Sequence, residues 1–194
     1  MIRLAFLASN NGSGMRAVVT AIEAGKLDAK PVLVVSNRAQ APALAFAQAH
    51  GIPTKVLTTR EDPAGADARL AVALGEARPD WVVLSGYLRR LGAKTLSAFA
   101  GRVLNIHPAL LPKFGGEGMY GRRVHEAVIA AGETISGASV HLVDEVYDRG
   151  RVLARAETPI SAADTAASVE SRVMALEGNL LVGVLRRLAE GKTP

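Results

Sequence analysis

The chain has 194 residues, of which 49% are hydrophobic and 21% charged, a length and composition typical of one soluble globular domain. Neither an export signal nor an apolar run of the roughly 18 residues that span a bilayer is visible, so we expect a cytoplasmic protein. Cysteine is absent, which excludes disulfides and cysteine-ligated zinc. The net charge is +5, but the basic residues are scattered along the chain, which argues against a nucleic-acid-binding surface.

The first element is an apolar strand at residues 2–8, followed by a loop of small residues and a helix whose apolar residues begin at Met15. Free N–H groups at the start of a helix, together with its dipole, favour a bound anion. Gly12 would let the backbone approach a phosphate, and Ser13 would cap the helix or donate its hydroxyl. Both the G-x-G-x-x-G and the Walker patterns are missing, so the alternative is an ordinary capped turn.

Strand and helix patterns alternate through the first hundred residues, which predicts a parallel, doubly wound sheet. In the helix at 67–77, Leu70, Val72 and Leu74 are expected to face the core. The remaining strands of this part are predicted at 31–35, 54–57 and 81–84, and the other helices at 41–49 and around Leu96.

An apolar wall with basic residues at its rim follows the strand at 81–84. Gly86 permits a sharp turn, and Tyr87 and Leu88 can line an apolar slot next to Arg89. A flat aromatic ligand that carries carboxylates would suit this wall. The alternative is an ordinary basic loop between a strand and a helix.

Residues 103–112 (VLNIHPALLP) begin as a buried strand and end in a turn fixed by two prolines. Asn105 and His107 share one face of this strand because side chains alternate along it. An amide and an imidazole therefore reach the carboxyl end of a strand, where open α/β sheets bind their ligands. The alternative is that His107 merely satisfies a carbonyl of the turn.

An antiparallel hairpin is predicted in the last third of the chain, after a turn at Ser136-Gly137. His141 shares a face of the first hairpin strand with Ser139. The acidic loop between the strands holds Asp148 at its tip, where a carboxylate is usually just solvated. Opposite a strand-end histidine, Asp148 becomes a candidate catalytic carboxylate. The hairpin strands are predicted at 138–143 and 151–156.

A glycine-rich segment and two helices complete the chain. Residues 113–118 are expected to be mobile, and the helix at 119–131 contains His125, which is expected to pack rather than to take part in chemistry. The long helix at 165–190 carries Glu177, followed directly by a glycine that costs about 1 kcal/mol of helix stability. A polar residue and a glycine in the middle of an amphipathic helix indicate a functional site.

Three stretches make the whole chain resemble the folate-dependent formyltransferases, above all those that act on glycinamide ribonucleotide in purine synthesis. They are residues 105–112 (NIHPALLP), residues 116–127 (GEGMYGRRVHEA), and residues 140–148 (VHLVDEVYD) with Gly150. The resemblance implies a Rossmann-like, mostly parallel α/β sheet with a C-terminal antiparallel hairpin and long helix. It also implies a single domain over residues 1–194, whose first hundred residues hold the nucleotide and whose remainder holds folate and the catalytic residues.

The same resemblance implies a role for each group of site residues. Catalysis falls on Asn105, His107 and Asp148. Phosphate and ribose binding falls on Asn11, Gly12, Ser13, Gly14 and Glu177, and folate binding on Tyr87, Leu88, Arg89, Arg90, Leu91, Val143 and Asp144.

Two positions depart from the family pattern on the ribonucleotide side. Gly14 stands where the family usually has asparagine, and Gly178, after Glu177, stands where it usually has histidine. A tyrosine that commonly follows this pair is also missing. The departures therefore bear on the identity of the amine substrate more than on the chemistry.

The implied reaction transfers the formyl group of 10-formyltetrahydrofolate to the amine of glycinamide ribonucleotide. Asn105 and His107 would stabilise the negative charge on the formyl oxygen, and one such donor is typically worth about 2.7–4 kcal/mol. Asp148 would hold His107 protonated and relay the proton of the amine. Neither a metal nor a covalent nucleophile is required. The expected partners are these small molecules, with the chain as a monomer or homodimer.

Three other functions are compatible with the sequence. A formyltransferase could act on another amine, such as an amino sugar nucleotide, which the two departures favour. A non-catalytic folate- or nucleotide-binding module would not need all three catalytic residue types. A nucleotide-dependent oxidoreductase would be expected to carry the missing dinucleotide fingerprint.

Overall fold

The computed structural model describes residues 1–58 and 62–192, and the structural statements below concern those residues. The strands form one sheet in the order β3-β2-β1-β4-β5-β6-β7, which agrees with the mostly parallel, doubly wound sheet predicted from the sequence. The elements are β1 (Ile2–Leu7), α1 (Ser13–Glu23), β2 (Ala29–Ser36), α2 (Pro42–Ala49), β3 (Thr54–Val56), α3 (Pro63–Ala77), β4 (Trp81–Leu84), α4 (Ala93–Ala98), β5 (Val103–His107), α5 (Arg122–Ala130), β6 (Ile135–Leu142), β7 (Val152–Pro159) and α6 (Ala166–Ala189).

The chain divides into two compact units, Met1–Leu104 and Asn105–Pro194. In the first unit, β1 pairs in parallel with both β2 and β4, and β2 pairs in parallel with β3. The apolar run of β1 is continuous because a strand inside a parallel sheet is buried on both faces. Leu4 and Phe6 are accordingly fully buried. Burying one such side chain contributes about 1.5–3 kcal/mol. The single-domain assignment and its division near residue 100 stay predictions.

Two sequence predictions for the first unit are wrong in detail. The helix α3 begins at Pro63 rather than at 67, because the Asp62 side chain caps it by accepting from the Gly65 N–H at 2.8 Å. Val72 is 60% exposed instead of buried. With 3.6 residues per turn, it lies on the opposite face of the helix from Leu70 and Leu74.

The second unit contains the predicted hairpin, with β6 and β7 paired antiparallel, and the long helix α6. Ser136-Gly137 is not a turn; both residues lie within β6 and pair with Thr158 and Glu157. Glycine is required at position 137 because the backbone carbonyl of Ala156 leaves no room for a Cβ atom. A core cluster of Ala138, Val169 and Val173 joins the hairpin to α6.

None of the helices within the described ranges combines the length and apolar character needed to cross a bilayer. The helix α5 begins at Arg122, three residues later than predicted, and ends at Ala130. His125 is buried within it, in agreement with its expected packing role.

Candidate active site

The three predicted catalytic residues lie together in the second unit. Asn105 and His107 belong to β5, and alternation along the strand places them on one face. Asp148 belongs to the loop between β6 and β7, where it adopts a positive φ of 55°. Its Oδ2 lies 3.6 Å from His107 Nδ1, and the side chains are only 9% and 4% exposed. A buried carboxylate therefore faces a buried imidazole.

His141 of β6 joins this group, although the sequence placed it only on a strand face with Ser139. Asn105 Nδ2 lies 3.1 Å from His141 Nε2, and the His141 Nδ1 is hydrogen-bonded to the Leu142 carbonyl at 2.8 Å. The same Nε2 lies 3.4 Å from Asp148 Oδ1. His141 thus links the amide to the carboxylate. Its position at the end of a buried strand, next to the loop that carries the candidate aspartate, was the signal that could have revealed it.

The glycine-rich segment contacts the catalytic candidates through its backbone. His107 Nε2–H donates to the Phe114 carbonyl at 2.7 Å, and the Gly116 N–H donates to Asp148 Oδ2 at 2.9 Å. A Cβ atom on Gly115 would lie 2.9 Å from Asp148 Cβ, so only glycine fits there. Gly115 is therefore required by the packing of the site. Its mobility stays a prediction.

The ionisation of the site differs in one respect from the sequence prediction. Burial lowers the pKa of His107, and this effect outweighs the Asp148 carboxylate and the Phe114 carbonyl, which both raise it. Burial alone would raise the pKa of Asp148, but His141, His107 and the Gly116 N–H together hold it below its ordinary value. Asp148 is ionised, whereas burial opposes the expectation that Asp148 keeps His107 protonated.

The His107–Phe114 loop is fixed by Ser139, which is fully buried in β6. The Ser139 hydroxyl accepts from the Leu111 N–H at 3.0 Å and donates to the Ala109 carbonyl at 2.7 Å. One side chain thereby satisfies two backbone groups of the loop. The path of the chain after His107 is consequently set by β6.

The predicted phosphate loop lies in the first unit. Gly12, with a φ of 65°, is the N-cap of α1 and no side chain caps this helix. Of the two roles predicted for Ser13, capping is therefore wrong, and donation of its hydroxyl to a ligand stays a prediction. The Met15 N–H donates to Ser85 Oγ at 2.9 Å and the Arg16 N–H to the Gly12 carbonyl at 3.0 Å. The N–H groups of Ser13 and Gly14 have no acceptor among the described residues. These two groups, beside the exposed Asn11, can receive an anionic oxygen.

The predicted folate wall also lies in the first unit, directly after β4. The Leu88 N–H donates to Ser9 Oγ at 2.8 Å, which anchors the wall to the end of β1. Leu88 is 44% exposed, whereas Leu91 is buried. Burial raises the pKa of the Tyr87 hydroxyl. Leu88 and the exposed Arg89 and Arg90 are therefore the wall residues that a ligand can reach.

The remaining predicted site residues belong to the second unit. Burial raises the pKa of Glu177, on α6, to about 7. Glu177 makes no hydrogen bond or ion pair with the catalytic residues in the described chain. Val143 is half-buried and Asp144 is exposed, with its Oδ1 accepting from the Val146 N–H at 2.9 Å. None of the described residues forms a cluster of three or more metal-ligating side chains.

Residues 2–185 match the family model described as formyl transferase. The chain belongs to this family. A phosphoribosylglycinamide formyltransferase of Haemophilus influenzae is 33% identical over 194 residues, which cover 99% of this formyl transferase and 89% of that relative. Chloroplastic phosphoribosylglycinamide formyltransferases of Vigna unguiculata and Arabidopsis thaliana are 38% and 37% identical over 97% of the chain, which spans only 61% and 65% of their length.

Solved structures agree with the fold of this formyl transferase. Glycinamide ribonucleotide transformylase 1 from Symbiobacterium toebii superposes with a TM-score of 0.91 at 30% identity, covering 98% of this chain and 89% of that one. Phosphoribosylglycinamide formyltransferase from Brucella melitensis gives 0.88 at 35% identity, covering 100% and 98%. The formyltransferase fold predicted from the sequence is thus confirmed.

Proposed function

We propose that the chain transfers the formyl group of 10-formyltetrahydrofolate to the amine of glycinamide ribonucleotide, in the cytoplasm. The observation that carries the proposal is the group formed by the half-buried Asn105 with the buried side chains of His107 and Asp148. The names of the relatives support the choice of the acceptor, and membership of the formyl transferase family supports a folate donor. In this reaction the neutral amine attacks the formyl carbon, negative charge builds on the formyl oxygen, and the amine loses a proton as the new C–N bond forms.

Asn105 and His107 donate hydrogen bonds to the developing oxyanion. The Asn105 amide carries two N–H donors, and its single contact with His141 Nε2 occupies at most one of them, so a second is available. His107 donates through Nε2–H once the formyl oxygen replaces the Phe114 carbonyl as acceptor. Each donor is expected to contribute about 2.7–4 kcal/mol to the transition state.

Asp148 is the proton acceptor in this proposal. It is ionised, and its carboxylate stabilises the positive charge that appears on the attacking amine. The proton passes to Asp148 directly or through one water, which keeps the step within hydrogen-bond reach. The bond between the formyl carbon and N10 of the folate then breaks and the proton passes from Asp148 to N10, which leaves tetrahydrofolate and the formylated amine.

The binding assignments are part of the same proposal. The ribonucleotide phosphate binds the N–H groups of residues 11–14, and Glu177 accepts hydrogen bonds from the ribose hydroxyls. Folate binds along residues 87–91 together with Val143 and Asp144. The chain acts as a monomer or homodimer.

The deciding experiment mixes the protein with glycinamide ribonucleotide and 10-formyltetrahydrofolate and follows the appearance of tetrahydrofolate and of the formylated amine. Both products are expected in equal amounts. Without the amine, no tetrahydrofolate should form. Tetrahydrofolate formation without an amine would instead indicate hydrolysis. Absence of turnover both with and without the amine would overturn the proposal.

A second candidate is formyl transfer to another amine, such as an amino sugar nucleotide. The observation that favours it is Gly14, which presents no side chain to a phosphate where the family usually has asparagine. A panel of phosphorylated and nucleotide-linked amines at fixed folate separates the two. A kcat/KM for another amine above that for glycinamide ribonucleotide would favour this second function.

A further inference from the structure

Arg155 of β7 holds the loop that follows His107 from outside the catalytic group. Its Nη2 and Nε donate to the Leu111 carbonyl oxygen at 2.8 and 3.2 Å. Arg155 pairs with Ser139 in the β6–β7 ladder, and paired residues of antiparallel strands project from the same face. Because Ser139 accepts from the Leu111 N–H, the hairpin binds both backbone polar groups of Leu111.

Leu111 in turn contacts the segment that binds His107 and Asp148. Its side chain is buried, and its Cδ2 lies 2.5 Å from where a Cβ atom of Gly115 would be. Three residues after Leu111, the Phe114 carbonyl accepts from His107 Nε2. Phe114 has a φ of 55°, a conformation that costs an ordinary residue about 1–3 kcal/mol. Contacts outside Phe114 must therefore hold its carbonyl in position.

We propose that Arg155 is a positioning residue, which fixes Leu111 and thereby keeps the Phe114 carbonyl and the His107 ring aligned with Asp148. Arg155 forms no ion pair with the other described residues, so its fixed contact is a neutral backbone oxygen. The planar guanidinium suits this contact because it can direct two N–H groups at one oxygen. The consequence for turnover rests on the proposed function of His107.

The test compares Arg155→Met, which removes the donors at similar length, with the control Arg151→Met. Arg151 is an exposed arginine directly before the same hairpin strand. Nitrogen-15 NMR of the His107 ring reports its tautomer and pKa without any substrate. Since the Phe114 carbonyl raises the pKa of His107, Arg155→Met should lower that pKa and shift the Nε2 signal. Arg151→Met should leave both unchanged.

Steady-state kinetics supply the second measurement. Arg155→Met is expected to lower kcat roughly tenfold to a hundredfold, because a small misplacement of a catalytic group costs that much. The KM values should change little, since Arg155 touches neither substrate site. A loss of thermal stability with unchanged kcat and an unchanged His107 spectrum would overturn the inference and leave Arg155 a purely structural residue.

The two proposals can fail separately. If the unmodified protein shows no formyl transfer, the proposed function fails, while the NMR comparison still decides the role of Arg155. If Arg155→Met does not fold, Arg155→Lys replaces it, because a lysine ammonium lacks the rigid planar fork. The lysine variant is then expected to show a smaller shift in the same direction. A His107 spectrum and kcat identical to those of the unmodified protein would overturn the positioning role.

Discussion

Asp148→Asn is expected to lower kcat by about three orders of magnitude. The Asp148 side chain, only 9% exposed beside His107, is the proposed proton acceptor. Removal of a positioned general base typically costs a factor of about 10²–10⁴ in rate. Asparagine cannot accept this proton, so we expect a loss near the middle of that range, about a thousandfold or about 4 kcal/mol. Asparagine has nearly the same shape, so its packing beside Gly115 should survive.

The assay measures kcat and both KM values from the appearance of tetrahydrofolate, with thermal unfolding as a check on folding. The KM values should change little, since the stabilised charge exists only in the transition state. The pKa of His107 should also fall, because the carboxylate raises it in the unmodified protein. Glu145→Gln removes an exposed carboxylate from the same loop and serves as the matched control.

Two results would refute this reasoning. A folded Asp148→Asn variant with less than a tenfold loss of kcat would show that the carboxylate does not stabilise charge in the transition state. A raised KM at unchanged kcat would make Asp148 a binding residue. His107→Ala combined with Asp148→Asn should cost much less than the sum of the single losses in log units, because the two residues act as one unit.

Three further outcomes are expected. Gly115→Ala should lower the free energy of unfolding by about 1–3 kcal/mol, because its Cβ would crowd Asp148. In urea unfolding, the control Gly75→Ala, in open space on α3, should instead raise it by about 0.5–1 kcal/mol. Since the folded-state pKa of Glu177 is raised from 4.5 to about 7, the protein should lose up to about 3 kcal/mol of stability as pH rises from 5 to 8. Urea titrations at both pH values should show that Glu177→Gln makes the stability less dependent on pH. Gly12→Val, at a φ of 65° with Ala43 Cβ only 3.2 Å away, should weaken ribonucleotide binding in calorimetry and spare folate binding; equal losses would contradict separate sites.

The sequence was sufficient for the features that depend on local pattern. Side-chain alternation along β5 put Asn105 and His107 on one face, and the apolar runs on either side of an acidic loop predicted the hairpin that carries Asp148. These rules need only neighbours along the chain. They failed at Gly137, where the constraint is the approach of a second strand, which the local sequence does not encode.

The electrostatics of the site could not be predicted from the sequence, because they too depend on contacts between distant segments. The Phe114 carbonyl reaches His107 only because Leu111 is fixed by Ser139 and Arg155, two residues of different strands. The ionisation of His107 depends on its burial, which outweighs the charge of Asp148. Sequence pattern identifies which ionisable groups meet, whereas the balance between desolvation and attraction follows from the packed structure.

The Phe114 carbonyl, which accepts a hydrogen bond from His107, competes with the substrate for the same N–H group. A formyl oxygen in the ground state is a neutral carbonyl like that of Phe114, so exchanging one for the other gains almost nothing. As negative charge builds on the formyl oxygen, the same exchange becomes strongly favourable, because hydrogen bonds to charged acceptors are roughly twice as strong as those to neutral ones. In the proposed reaction this internal competition cancels the contribution of His107 to substrate affinity and preserves its contribution to the rate.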